Sequence, residues 1–176
     1  MNDHVESFHF RRCANGEIDR LLQKIGGHGV VYHETNGWVT FLPLGESSSL
    51  VAAVSANCKG VVLHYLYDED NAWMVNLFSN GKLKSSYVSV WSPEYYVKDD
   101  LLDITAFYPY LMTQEAQTEF RMIFTLDEFE DIFEVNPAFR FAQLLGIEHY
   151  QWLPLQRYKE KAITGMNRVQ QGFRLA

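Results

Sequence analysis

The hydrophobic positions in the first half of the chain switch between the periods of strands and helices. Residues 5–11 alternate loosely, which predicts a first strand, and the apolar residues of 16–25 recur at helical spacing. Gly26 and Gly27 then end this first helix. Residues 48–57 begin with serines and continue with alanine, leucine and valine, which predicts a second short helix.

Five strand-like runs, rich in β-branched and aromatic residues, surround these helices. GVVYHE and GWVTFLPL meet at Asn36-Gly37, and AWMVNLF and KLKSSYVSV meet at Asn80-Gly81. An Asn-Gly pair tolerates positive φ at both central positions of a tight turn, so it is the strongest short signal for a hairpin. The run VVLHYLY precedes AWMVNLF across the acidic stretch DEDN. The pattern therefore predicts consecutive antiparallel hairpins.

The pattern changes from about Ser92. WSPEYYVKDDLLDITAFYPYL is aromatic and acidic without a clear period, which is typical of a long ordered connection. QEAQTEFRMIF, LDEFEDIFE and AFRFAQLLG each repeat at helical spacing, and the third has Asn136 as its N-cap and Pro137 at its first position. Residues 150–155 fit a last strand or a packed loop. The basic end, KAITGMNRVQQGFRLA, is expected to be loosely held.

Together these elements predict a single α+β domain over 1–176, with a sheet-rich half, 1–91, and a helical half with a basic tail, 92–176. We expect an antiparallel sheet of about five to six strands built from hairpins, with two short helices in the N-terminal half. A C-terminal helical segment should pack on one face or end of that sheet. A chain of 176 residues that is 47 % hydrophobic can bury a core without a metal or disulfide.

Charge is distributed unevenly along the chain. Residues 1–65 have a net charge of −1, residues 66–135 contain 4 Lys/Arg and 14 Asp/Glu for a net −10, and residues 136–176 have a net +4. An acidic middle segment repels phosphate, so nucleic acid is disfavoured as a direct ligand. The same charge favours encounter with a basic protein partner. The simpler alternative is that these acids keep the surface soluble.

The two cysteines, Cys13 and Cys58, are far apart in the sequence, and neither has a second Cys or a spaced His nearby. Two are too few for a disulfide framework and are typical of a reducing compartment. Although Lys59 is adjacent, we expect Cys58 to be an inert small residue at a helix end. MNDHVESFHF lacks the basic and apolar regions of a signal peptide, and no stretch approaches the ~18 apolar residues of a membrane span. We therefore expect a cytoplasmic protein without membrane contact.

Three patterns that suggest an ion or phosphate site have simpler explanations. An EF-hand loop beginning at Asp68 would need Gly at its sixth position and Glu at its twelfth, where the chain has Trp73 and Ser79. DEDN instead fits a hairpin tip, whose polar residues tolerate positive φ. GGHG follows a helix, whereas phosphate-binding glycines precede one. The histidines show no metal-ligand spacing, and we expect no metal and no cofactor.

Catalytic motifs are likewise missing from the sequence. The serines of GESSSL do not form the G-x-S-x-G elbow and fit helix caps better. A small enzyme or small-ligand binder would have its site between the sheet and the C-terminal helices. Its candidate residues, chosen by type alone, are His33, His64, Asp68 and Glu94. The sequence favours a non-enzymatic role.

Aromatic residues are unusually frequent, at 15 % of the chain. Packing within a sheet accounts for most of them, but Tyr and Trp also favour interfaces because one end of each ring is polar. The segments SPEYY and FYPY lie in the irregular connection, so they are the better interface candidates. The predicted binding residues are Glu94, Tyr95, Tyr96, Asp99, Asp100, Asp103, Tyr108 and Tyr110.

Three stretches, NGWVTFLPL, VVLHYLYDEDNAWMVNLFSNGKLKSSY and RFAQLLGIEHYQWLPLQRY, resemble a loose group of small bacterial α+β proteins. That group places an acidic turn before a strand, then an aromatic-x-x-Gly hairpin, and ends in a short F-A-x-L-L-G helix. The resemblance implies a fold and carries no functional residue. By analogy alone, small acidic α+β proteins include immunity proteins that neutralise toxins.

The leading hypothesis is a non-enzymatic cytoplasmic binding protein that holds a protein partner on an acidic, aromatic surface. An immunity-type role against a basic toxin is its most concrete form. The second hypothesis is the small enzyme or ligand binder described above. The third is a homo-oligomer whose aromatic patch is self-complementary.

Overall fold

Residues 4–13, 15–43, 48–126, 134–147 and 173–175 are described by the computed structural model, and they form one antiparallel sheet with helices on both faces. The strands are β1 (His4–Arg11), β2 (Gly29–Tyr32), β3 (Val39–Pro43), β4 (Val61–Asp68), β5 (Ala72–Ser79), β6 (Lys82–Val90), β7 (Tyr96–Lys98) and β8 (Phe173–Leu175). The helices are α1 (Asn15–Ile25), α2 (Ser48–Asn57), α3 (Gln117–Met122) and α4 (Pro137–Leu144), with a 3₁₀ helix over Ile104–Tyr110.

Neighbouring strands are antiparallel throughout, in the order β7-β6-β5-β4-β1-β3-β2-β8. This confirms the α+β class, with eight strands among the described residues where about five to six were expected. The strands that the sequence missed, β7 and β8, are three residues each, too short to show an alternating pattern. The expectation of a loosely held tail was wrong for residues 173–175, which pair with β2 at the sheet edge opposite β7.

The two faces of the sheet carry separate cores, because successive strand residues point to opposite sides. On the first face, α1 and α2 cover β1, β3 and part of β4, in a core that includes Phe8, Phe41 and Val54. On the second face, the 3₁₀ helix, α3 and α4 cover a larger aromatic core that includes Trp73 and Phe141. This second layer confirms that a C-terminal helical segment packs on one face.

Both Asn-Gly hairpins are confirmed. Asn36 and Gly37 have φ angles of 53° and 82°, and Asn80 and Gly81 have 49° and 75°. These are the left-handed conformations that a type I′ turn needs, and its twist matches that of the flanking strands.

The DEDN stretch is the hairpin tip between β4 and β5, as predicted, but its local chemistry differs. The carboxylate of Asp68 accepts hydrogen bonds from the backbone N–H of Asp70 at 3.2 Å and from the side-chain amide of Asn71 at 3.0 Å. None of residues 68–71 has a positive φ. The expected use of left-handed backbone was therefore wrong, and the first acid closes the turn instead.

The helix-end predictions hold for α1 and in part for α4. Gly26 has a φ of 67°, and the N–H of Gly27 donates to the Leu22 carbonyl at 2.8 Å, so GGHG is a helix end. Pro137 begins α4 as expected, but Asn136 has a φ of 51° and makes no side-chain capping bond.

Helix α3 is shorter than the pattern of residues 114–124 predicted. The helix predicted over residues 126–134 and the strand or loop over 150–155 fall mainly or wholly outside the described ranges.

Candidate functional site: an acidic edge of the sheet

Strand β7 forms one outer edge of the sheet. It pairs with β6 through Val88 and Lys98, Ser89 and Val97, and Val90 and Tyr96. No strand among the described residues pairs with its other side. The strand lies within a run of nine exposed residues, 93–101, that we call the acidic edge.

Apolar side chains are concentrated on the acidic edge. Tyr95, Tyr96, Val97 and Leu101 are between 36 % and 56 % exposed. These four are half of the large hydrophobic side chains that are exposed in the described part of the chain. Single exposed apolar residues are normal on a protein surface, whereas a cluster of them marks an interaction site.

The charge of the acidic edge is negative. Glu94, Asp99 and Asp100 are exposed, and Lys98 is the one basic residue of the run, which gives a net charge of −2. Because these carboxylates lie in water, they act on an approaching partner through their summed field and not as tight ion pairs.

Hydrogen bonds fix the acidic edge at both ends. Before it, the backbone N–H of Trp91 donates to the Asn71 carbonyl at 2.8 Å, and the indole N–H donates to the Glu69 carbonyl at 3.1 Å. After it, the N–H of Ser86 donates to the Leu101 carbonyl at 3.1 Å. The Tyr95 hydroxyl also donates to the Leu126 carbonyl at 3.4 Å. These bonds restrain the acidic edge before any partner arrives, which lowers the ordering cost of binding.

Asp103 stabilises local structure just beyond this edge. Its carboxylate accepts hydrogen bonds from the N–H of Thr105 at 3.0 Å and from the hydroxyl of the same residue at 2.6 Å, which caps the 3₁₀ helix. These bonds to its charged form lower the pKa of Asp103. Asp103, although it was predicted as a binding residue, therefore has a structural role as the cap of the 3₁₀ helix.

The two predicted tyrosines of the 3₁₀ helix turn towards the protein. Tyr108 is half-buried, and its hydroxyl accepts a hydrogen bond from Nε of Arg121 at 2.5 Å. Tyr110 is only 8 % exposed and packs against Trp38 in the aromatic core. The structure thus groups five predicted binding residues on the acidic edge, Glu94, Tyr95, Tyr96, Asp99 and Asp100. Sequence reasoning missed Val97 and Leu101, because an apolar residue gives no sign of exposure until its strand is placed at an edge.

The alternative pocket residues are spread across the sheet. His33 follows β2, whereas His64 and Asp68 lie on β4, and strands β3 and β1 lie between β2 and β4. Four residues along one strand separate His64 from Asp68, about 13 Å at the usual strand rise. Glu94 precedes β7 at the edge. Strand order therefore gives these four residues no common site.

His64 belongs to a polar network that the sequence did not reveal. Its Nε2 lies 2.6 Å from the Glu6 carboxylate, and its Nδ1 lies 3.2 Å from the side-chain nitrogen of Asn76. The Ser86 hydroxyl donates to the Asn76 carbonyl oxygen at 2.7 Å. Because the amide nitrogen of Asn76 can only donate, Nδ1 accepts and Nε2 donates to Glu6. The network crosses strands β1, β4, β5 and β6.

This arrangement differs from a catalytic triad. A triad needs one ring nitrogen of the histidine on the orienting acid and the other on a nucleophile or substrate. Both nitrogens of His64 are engaged, one by Glu6 and one by Asn76, and the Ser86 hydroxyl points to the amide. The network therefore satisfies buried polar groups across four strands and leaves no nitrogen of His64 available as a base.

A second buried histidine is arranged in the same way. His9 is fully buried, with Nε2 2.9 Å from the Ser7 hydroxyl and Nδ1 2.9 Å from the Thr40 hydroxyl. The Ser7–His9 pair resembles a nucleophile and its base in distance, but Ser7 is also fully buried. No substrate can reach it, so this cluster is structural.

The described residues form neither a metal-binding cluster nor a membrane-spanning helix. They contain no group of three or more His, Cys, Asp or Glu residues placed to hold a metal ion. They also contain no helix of the length and hydrophobicity that crossing a bilayer requires.

Comparisons with known proteins leave the acidic edge as the main evidence on function. No protein-family model matches the chain, and neither a curated protein nor a solved structure matches it significantly.

Proposed function

We propose that this protein is a non-enzymatic binding protein that holds a basic segment of a protein partner along the acidic edge. The observation that supports the proposal is the run of nine exposed residues, 93–101, whose side chains are apolar and acidic together on an edge strand. An edge strand offers its outward backbone groups to an added strand. The acids then select among such strands by charge.

The simpler role of such an edge is protective. Short edge strands with a lysine are one way in which sheets avoid pairing with other chains, and β7 has both its short length and Lys98. The exposed Tyr96, Val97 and Leu101 do not fit that role, since apolar side chains on an edge promote association. An edge that combines these protective features with exposed apolar side chains favours one selected partner strand and disfavours indiscriminate strand pairing.

Charge also argues against a second copy of this chain as the partner. If two β7 strands paired antiparallel around Val97, Glu94 of each copy would lie opposite Asp100 of the other, and Tyr95 opposite Asp99. Like charges directly opposite on neighbouring strands are destabilising. A partner strand with Lys or Arg at both ends would instead pair with these acids.

The most concrete form of this function is an immunity-type protein that occupies a basic surface of a toxin. Inhibitors of this kind associate fast through complementary charge, and the net charge of −10 over residues 66–135 has the sign that a basic target needs. The proposal includes a cytoplasmic location, in keeping with a chain that has two cysteines.

A synthetic peptide of alternating lysine and valine serves as the test partner, with a glutamate–valine peptide as its opposite. We expect the lysine peptide to bind and to lose affinity as salt is added. Asp99→Lys and Asp100→Lys should each weaken the binding of the lysine peptide by roughly 3- to 10-fold at low salt and flatten its salt dependence. Tyr96→Ala should weaken binding without flattening it, because it removes apolar contact alone. Titration calorimetry at several salt concentrations measures the affinity of the wild type and of the three variants for the peptide.

The matched control is Glu34→Lys, which makes the same charge change at an exposed position after β2, remote from β7 in the strand order. It should change affinity by less than about twofold at moderate salt, since it lies beyond the reach of a screened charge. Asp103 is left unchanged because its reversal would also disturb the 3₁₀ helix. Equal binding of the two peptides, or equal effects of Glu34→Lys and Asp100→Lys, would contradict the proposal. A stable dimer broken by Val97→Asp would replace it with self-association.

A further inference from the structure

The two cysteines, separated by 45 positions in the sequence, meet in the structure. Cys13 follows β1 and precedes α1, and Cys58 follows α2 and precedes β4. Their sulfur atoms lie 3.0 Å apart, and both residues are free thiols. The two residues are far apart in the sequence but adjacent in the fold, and the expectation that Cys58 is an inert small residue did not include this neighbour.

The fold explains why they meet. Strands β1 and β4 are antiparallel neighbours, and the last residue of β1, Arg11, pairs with the first residue of β4, Val61. The residue just past the end of β1 must then face the residues just before β4. Gly60 leaves room for the sulfur, because a Cβ at that position would lie 2.4 Å from Sγ of Cys13.

We propose that Cys13 and Cys58 form a redox-sensitive dithiol that hydrogen peroxide, or a comparably small peroxide, oxidises reversibly to an intramolecular disulfide. This inference is independent of the acidic edge. It rests on the 3.0 Å separation of the two sulfur atoms and on their unequal exposure, with Cys58 only 6 % exposed and Cys13 half-buried. A disulfide needs the sulfur atoms to approach by about 1 Å more, which small side-chain rotations can supply.

The electrostatics favour Cys58 as the first sulfur to react. The hydrogen bond from the Cys13 thiol, with help from the backbone N–H of Gly60, lowers the pKa of Cys58 to about 7 against the opposing effect of burial. The same hydrogen bond and burial raise the pKa of Cys13. At neutral pH a larger share of Cys58 than of an ordinary thiol is then thiolate, while Cys13 keeps its proton.

The oxidation balances with peroxide as the only co-reactant. The Cys58 thiolate attacks one peroxide oxygen, so that an S–O bond forms, the O–O bond breaks, and hydroxide leaves and takes up a proton as water. The Cys13 sulfur then attacks the resulting sulfenic acid. The S–S bond forms, the S–O bond breaks, and the second water carries away the Cys13 proton. Two thiols lose two electrons, and peroxide is reduced to two molecules of water.

Exposure decides which reagents take part. A small peroxide can approach a residue that is 6 % exposed more easily than a bulky disulfide can. In the reverse direction, a thiol reductant attacks the more exposed Cys13 sulfur and releases Cys58 as the thiolate. A low pKa makes Cys58 the better leaving group. Two thiols of reductant are consumed, and they leave as their own disulfide.

The product distinguishes this site from two cysteines that merely pack together. A lower pKa raises the thiolate fraction but reduces the intrinsic nucleophilicity of the thiolate, so the two effects oppose each other and the oxidation rate alone is a weak criterion. A resolving sulfur at 3.0 Å instead changes the outcome from a sulfenic acid to a disulfide.

The test treats the full chain with hydrogen peroxide and follows free thiols and intact mass. The wild type should lose both thiols and two hydrogens, form no disulfide between molecules, and regain both thiols with a reductant. Cys13→Ser should stop at a sulfenic acid on Cys58, seen as the gain of one oxygen in the intact mass, and Cys58→Ser should react more slowly. Thiols that persist while a small reference thiol is oxidised would overturn the proposal. So would over-oxidation without a disulfide, or a disulfide between two molecules.

The pH dependence separates the role of the neighbouring thiol from mere proximity. In the wild type the oxidation rate should rise with pH through about 7, since the thiolate of Cys58 is the attacking species. Cys13→Ala removes the donor that stabilises this thiolate, so the rate at which peroxide oxidises Cys58 should rise only at a higher pH. Cys13→Ser retains a hydroxyl donor, so its pH profile of oxidation should lie between those of the wild type and Cys13→Ala. Identical pH profiles for the alanine and serine variants would contradict the assignment.

The disulfide between Cys13 and Cys58 should also raise the thermal stability of the oxidised protein. It would close the loop from residue 13 to residue 58, and the restricted unfolded chain should shift the melting temperature upwards by roughly 5 to 10 °C. An oxidised form that melts below the reduced form would show that the native geometry does not accommodate the bond, and would overturn the proposal.

Discussion

Replacing Phe141 with alanine should lower the free energy of unfolding by about 3 to 5 kcal/mol, as full removal of a buried aromatic ring usually does. Phe141 is fully buried on α4, and its ring lies within 6.3 Å, centre to centre, of several rings from the sheet and the other helices. These are the rings of Tyr65, Trp73, Phe107, Phe120 and Phe124. The side chain therefore joins the helical layer to the sheet. Total stability is typically about 5 to 15 kcal/mol, so one truncation would remove a large share of it.

Urea unfolding followed by tryptophan fluorescence measures this loss, since Trp73 lies 5.6 Å from the Phe141 ring. Gln143→Ala is the matched control, because Gln143 lies exposed on the same helix and should change stability by less than about 0.5 kcal/mol. Phe141→Leu leaves a smaller cavity, so its loss of stability should lie between those of Phe141→Ala and Gln143→Ala. A Phe141→Ala variant as stable as the Gln143→Ala variant would mean that α4 does not pack on the sheet in solution.

The turns and long elements could be predicted from the sequence because their signals are local. Asn36-Gly37 and Asn80-Gly81 require positive φ at adjacent positions, and few other pairs supply it at low cost. Helix α1 and the long strands β4, β5 and β6 each contain enough residues to show their period. Strand β7 has three residues and depends on pairing with β6, which is a tertiary event that local pattern does not report.

The candidate site could be predicted only in part, for the same reason. Residue type singled out Tyr95, Tyr96 and the nearby acids as binding candidates, and these residues are exposed. The same reasoning chose Tyr110, which is chemically similar but packs on Trp38 in the core. Which tyrosine faces water depends on where the 3₁₀ helix lies against the sheet. Composition cannot tell these two cases apart.

Residues brought together by strand pairing were beyond the reach of sequence reasoning. Glu6 and His64 are 58 positions apart, and Cys13 and Cys58 are 45 apart. Both pairs come together because β1 lies beside β4, although β1 is the first strand and two other strands intervene in the sequence. That one pairing creates the buried polar network on one part of the sheet and the dithiol at its end. A prediction of the β1–β4 pairing would have been enough to find both.

Replacing Gly29 with alanine should destabilise the protein by about 3 kcal/mol or more, because the added methyl group meets backbone that cannot move independently. Gly29 begins β2 opposite Pro43 of β3. A Cβ there would lie 2.0 Å from the carbonyl oxygen of Leu42 and 2.5 Å from the ring of Phe41. Strand β2 would have to separate from β3, and its pairing with β8 would shift as well.

Gly16→Ala is the matched control for this prediction. Gly16 lies in α1, and an added Cβ there has no atom within 4 Å. Alanine is the better helix former, so this variant should keep its stability or gain up to about 1 kcal/mol. Urea unfolding compares the two variants, and amide hydrogen exchange should show faster exchange in β2 and β3 for Gly29→Ala alone. If both glycine variants unfolded at the same urea concentration, β2 and β3 could not approach as closely as the structure requires. The order of the last three strands, β3-β2-β8, would then need revision.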